Sequence, residues 1–127
     1  MAIDIYSIQI RVLIYREGRE FVARALEMDL IGYGKTEREA VEELRLAIEA
    51  QVSFAHQSND SSMIQFPADR EYFERWEAAQ AAALMSQVFP DKSTKLPAKA
   101  IFLTFTQAKL KTLRERRFSR QPDLVCA

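Results

Sequence analysis

The sequence predicts an α+β fold: an antiparallel β-sheet with a β-β-β-α core, to which a further helix and a fourth strand are added. Three observations carry this. Residues 6–14 alternate with a period of two, Tyr6, Ile8, Ile10, Val12 and Ile14 on one face and Ser7, Gln9 and Arg11 on the other. The stretch "REGRE" at 16–20 is a turn around Gly18, and "FVARALE" at 21–27 returns as a second strand. At Thr36 the period changes to 3.6, with Val41, Leu44, Ile48 and Val52 forming a helical stripe.

The remaining elements follow from the same signals. Ala23 and Ala25 are small enough to let a helix approach the second strand closely. Leu30 to Tyr33 hold a short third strand. Thr36 and Glu39 form a T-x-x-E capping box that starts the helix at 36–54, and Glu37, Glu39, Glu42, Glu43 and Glu49 lie largely off its apolar stripe. "HQSNDSS" at 56–62 reads as a polar linker. A second helix is expected over 68–89, with Asp69 as N-cap and Pro90 as stop, covering a sheet edge or forming an oligomer contact. Phe73, Trp76, Ala83, Leu84 and Val88 would be its buried face. "AIFLTFT" at 100–106 reads as the fourth strand and 107–120 as a short basic helix.

The expected organisation is a core at 1–56, a helical insertion and closing strand of the same domain at 57–106, and a basic helix and tail at 107–127. A chain of 127 residues buries a sizeable core without staples. The single cysteine, Cys126, excludes an internal disulfide framework, and a reducing cytoplasm is the expected location. No signal-peptide pattern opens the chain, and no apolar run approaches a membrane span. Net charge is zero, but it is divided. Residues 1–63 carry 7 Lys/Arg and 11 Asp/Glu, a net −4; residues 64–127 carry 11 and 7, a net +4. Each half could select a partner of opposite sign.

The stretch "GYGKT" at 32–36 resembles the end of a phosphate-binding loop. That loop requires a glycine five residues before Gly34, where this chain has Asp29. The dinucleotide fingerprint fails as well, because Glu37 takes the place of its third glycine. The expected role is a strand end followed by a capped helix.

The order strand, hairpin, strand, Gly-x-Gly-x-Thr turn and acidic helix resembles the HicB-like antitoxin family. The residues that carry the resemblance are Phe21-Val22-Ala23, Gly32, Gly34, Thr36, Glu39-Ala40 and the Leu44/Ala47/Ile48 stripe, across roughly 5–55. The resemblance implies a partial RNase H-like β-β-β-α-β unit that binds and silences a small RNA-cleaving toxin. Many family members also carry a C-terminal DNA-binding module. "AIFLTFTQAKLKTLRERR" resembles the strand-then-helix opening of a ribbon–helix–helix repressor, although too few residues follow for its second helix.

The expected function is a non-catalytic antitoxin or antitoxin-like protein with a small basic toxin as partner. Glu27, Asp29 and Tyr33 are the candidate partner contacts. The alternatives are an orphan protein- or ligand-binding module and a DNA-binding regulator. The regulator would use Lys109, Lys111, Arg114, Arg116, Arg117 and Arg120, whose affinity for phosphates would fall with salt. Unpaired sheet edges make homo-oligomers an expectation. Asp4, Glu27 and Asp29 are the carboxylates that two-metal nuclease chemistry would draw on, but they read as solvated turn acids. His56 has no partner in sequence for a triad or a metal site. No cofactor or metal is expected.

Overall fold

The computed structural model describes residues 7–60, 62, 65–89 and 98–120. Asp4, Tyr6, Pro90, the loop at 90–97 and Cys126 lie outside them.

Strand β1 (Ile8–Glu17) turns at Gly18, whose φ of +65° suits glycine, into β2 (Glu20–Ala25). Glu17 pairs with Glu20, leaving a two-residue hairpin loop. Asp29, at φ +48°, makes the next turn into β3 (Leu30–Gly34). Helix α1 (Glu37–Gln57) follows, then α2 (Arg70–Val88), β4 (Ala98–Phe105) and α3 (Gln107–Arg120). The sheet is antiparallel throughout, in the order β3-β2-β1-β4. The α+β class and the closing fourth strand are therefore as the sequence predicts.

Pairing registers divide the strand residues between two faces. Ile10, Val12 and Ile14 of β1 share one with Ala23 and Ala25 of β2, and with Leu103 and Phe105 of β4. This face packs on Ala40, Leu44, Leu46 and Ile48 of α1 and on Leu113 of α3. The capping box forms: the Glu39 amide donates to Thr36 Oγ1 at 3.1 Å. The Glu39 carboxylate accepts from the Lys35 amide at 2.9 Å, one residue earlier than the usual reciprocal bond.

The second face is also covered, and here expectation and structure part. Rather than covering a sheet edge, α2 lies on this face, across β1 and β4. Leu13, Leu26, Ala68, Trp76 and Ala98 form a second core there, with Phe73 packed at its margin. Trp76 Nε1 donates to the Ile101 carbonyl at 3.2 Å, and its ring meets Phe102 edge-on at 5.0 Å. The buried face of α2 stops early. Trp76 and Ala79 are buried, but Ala83, Leu84 and Val88, expected inside, are exposed. Asp69 precedes α2 without a side-chain capping bond.

The expected strand at 21–27 ends at Ala25. Beyond it the Leu26 amide still donates to the Arg11 carbonyl at 2.9 Å. The Glu27 carboxylate then accepts the Arg11 amide at 2.8 Å, standing in for a strand carbonyl.

Candidate protein-binding surface

The glycines of "GYGKT" serve packing. A Cβ on Gly32 would meet the Ala40 carbonyl and the Leu44 amide, and one on Gly34 would meet the Ala40 amide and Glu39, all well inside 3.0 Å. Together with Ala23 and Ala25 they form a floor low enough for the α1 backbone to lie directly on β2 and β3. The expectation that small residues admit a close helix holds, and it extends to both glycines.

Of the candidate partner contacts, Glu27 and Asp29 fall in the turn between β2 and β3, while Tyr33 lies toward the other end of β3, opposite Val22, and the three are in different states. Glu27 is bound twice by Arg11, through the amide and through Nε at 2.7 Å. The Arg11 guanidinium in turn sits 4.8 Å over the Phe73 ring, so Glu27 belongs to the contact between sheet and α2. Asp29 accepts Arg24 Nη1 at 2.8 Å. Arg24 also donates to Tyr15 Oη at 3.3 Å and lies 4.0 Å over the Tyr72 ring. Burial opposes the Arg24 charge, but the hydrogen bonds to Tyr15 and Asp29 outweigh it and raise the pKa further. Tyr33 differs from these two, being half-exposed on β3.

β3 is an edge strand. Leu30-Ile31-Gly32-Tyr33-Gly34 carries no charge and no proline, the devices that normally keep an edge from pairing. A groove of about 590 Å³ runs beside it, lined by Ile31, Tyr33, Leu46, Ala47 and Ala50, with Glu43 and Arg120 at its rim.

The basic helix α3 is turned toward the acidic helix α1. Arg116 Nη1 lies 2.9 Å from Glu42, and Arg120 Nη2 lies 2.9 Å from Glu43. Glu49 is fully buried and receives three donors: Arg117 Nε at 2.6 Å, Arg114 Nε at 3.1 Å and Ser53 Oγ at 2.5 Å. Burial alone would push the Glu49 carboxyl up. The hydrogen bonds from Arg117, Ser53 and Arg114 overcome that and hold it below its usual value. Lys109 Nζ reaches the Thr104 carbonyl at 3.4 Å. The divided charge of the sequence is thus balanced in large part inside the chain, and four of the six candidate nucleic-acid contacts hold α3 to α1.

Glu49 is the residue that sequence reasoning misplaced, since it was set off the buried stripe. The one available signal was Ser53 four residues later, a pairing that recurs on helix surfaces by chance. Among the described residues no group of three or more His, Cys, Asp or Glu could hold a metal ion, and no helix is long and apolar enough to cross a membrane. His56 is exposed in the last turn of α1.

No family model, no curated protein and no solved structure matches this chain.

Proposed function

We propose that this chain is a HicB-like, non-catalytic binding protein that neutralises a small RNA-cleaving toxin by holding it at the open β3 edge. The observation that carries the reading is the combination of an unprotected edge strand, the exposed Tyr33 and the adjoining groove. A strand added to β3 gains main-chain hydrogen bonds, while the groove admits side chains that give specificity. The groove is lined by two acids, Glu39 and Glu43, and two bases, Arg117 and Arg120, with Glu43 paired to Arg120, so the edge strand and the apolar lining carry the reading rather than net charge. Glu27 and Asp29 support the site from behind through Arg11 and Arg24 rather than by touching the partner.

DNA binding through α3 is the weaker reading, because Arg114, Arg116, Arg117 and Arg120 are already paired with carboxylates.

The test is retention of proteins from the native cells by the tagged chain, followed by an RNA-cleavage assay on what is retained. A stoichiometric small basic protein is expected, with ribonuclease activity that returns when the chain is removed. Tyr33→Asp is expected to weaken retention at least 10-fold with the fold intact. Recovery of the chain alone, or retention indifferent to Tyr33→Asp, would overturn the reading.

A further inference from the structure

The outer side of α2 carries an exposed apolar surface, separate from the β3 edge. From Ala78 to Phe89 the sequence AAQAAALMSQVF contains no charged residue. An uncharged stretch is ordinary in a buried helix. This one is buried only on the side that carries Trp76 and Ala79. At about 100° per residue, Met85 lies about 180° round the helix from Trp76. Ala78, Ala81, Met85 and Val88 share this outward side, with Leu84 and Phe89 flanking it. Leu84 is 58% exposed, Met85 57%, Val88 66% and Phe89 51%. Leu84, Met85 and Val88, with Phe89 at the C-cap, are the largest concentration of exposed large apolar side chains on any element described.

The spacing of 78, 81, 85 and 88 is three, four and three. It is the alternation that lets one helix seat its side chains between those of another. The sizes are also self-complementary. In an antiparallel pairing of two copies, Val88 falls opposite Ala78 and Met85 opposite Ala81, so each large side chain meets a small one. A parallel pairing would set Met85 on Met85 and Ala81 on Ala81, giving alternate crowding and gaps. With Leu84 and Phe89 flanking it, the stripe is at the small end of specific interfaces, so a reversible rather than an obligate dimer is expected.

We propose that this surface is occupied by a second copy of the chain, with two α2 helices packed antiparallel through Ala78, Ala81, Met85 and Val88. α2 then covers the sheet with one side and the partner protomer with the other. The absence of charge on both sides of its C-terminal half is thereby explained.

The experiment uses the full chain carrying Cys126→Ser, examined by sedimentation over a dilution series. A reversible monomer–dimer equilibrium is expected. Met85→Lys, which would place an unpaired charge in the seam, is expected to weaken the dimer by about 100-fold or more while leaving the circular dichroism spectrum unchanged. Orientation is read by oxidation, which also decides the matter if Met85→Lys fails to fold. The double variant Ala81→Cys, Met85→Cys is expected to cross-link two copies rapidly, and the single variant Met85→Cys to cross-link poorly. A monomer at every concentration would overturn the proposal. So would a dimer that survives Met85→Lys, or cross-linking that is efficient through Met85→Cys alone.

Discussion

At Gly32 one hydrogen atom decides how near a helix can come. Substitution by Ala places a methyl group against the Ala40 carbonyl and the Leu44 amide, and neither backbone group can yield without moving α1. Gly32→Ala is therefore expected to destabilise the chain by about 3 kcal/mol, the upper part of the range for overpacking, as measured by urea unfolding. Glu49 poses the opposite problem, a charge that burial opposes. Its carboxylate is sustained by Arg117, Arg114 and Ser53, so Glu49→Gln leaves two arginines facing a neutral amide. The expected loss is about 3 kcal/mol, at the low end for a broken buried pair because both arginines retain water contact. The pH dependence has a definite sign. The folded carboxyl has the lower pKa, so between the two values the unfolded chain binds more protons and stability rises with pH. Glu49's contribution is complete above the ordinary carboxylate value and is lost as pH falls through its depressed one. The gap between wild type and Glu49→Gln should accordingly narrow in acid. The glycine's role could be read in outline, since Gly-x-Gly-x-Thr before a capped helix is a local pattern. Glu49's role could not, because its arginines lie more than 60 residues away in sequence.

The elements themselves were largely legible, because period-two and period-3.6 patterns are local and their boundaries carry turn or capping residues. What the pattern hid was two-sided coverage. Leu13 interrupts the polar side of β1 and Leu26 follows β2, and together they marked a second buried face that α2 now fills. The face of α2 was misjudged for a related reason. The C-terminal half of α2 carries no charged side to contrast with a buried one, so periodicity could not tell the sheet side from the outer side there. The structure makes the difference testable. Trp76→Ala removes a buried ring and its bond to the Ile101 carbonyl, and should cost about 3–5 kcal/mol. Leu84→Ala, measured on dilute monomer, should cost about 0.5 kcal/mol or less. For α3, the exposed pairs Arg116–Glu42 and Arg120–Glu43 should each contribute below about 1 kcal/mol, fading with salt.

On the scale of the whole molecule, the early part of the chain does not close on itself. β1 is central in the sheet, and one of its two neighbours, β4, comes from residues 98–105. The first core is completed by Leu103, Phe105 and Leu113, and the second by Ala68, Trp76 and Ala98. The excess of acid before residue 63 meets its counter-charge in α3 and at Lys99, which bridges to Glu37 at 2.8 Å. A fragment ending at residue 60 would keep β1, β2, β3 and α1, the elements that carry the family resemblance. It would also leave Leu13 and Ile10 on an open strand and Glu49 inside without its arginines. Such a fragment is expected to be unfolded, with weak helical circular dichroism and little amide dispersion by NMR. The full chain should instead unfold in a single transition seen alike by Trp76 fluorescence and by circular dichroism. A fragment that folds cooperatively alone would mean that α2, β4 and α3 are additions to a self-sufficient unit. The two-sided packing argues the reverse: both layers of helix are needed to hold β1 in the middle of the sheet, and so to keep the β3 edge in place beside α1.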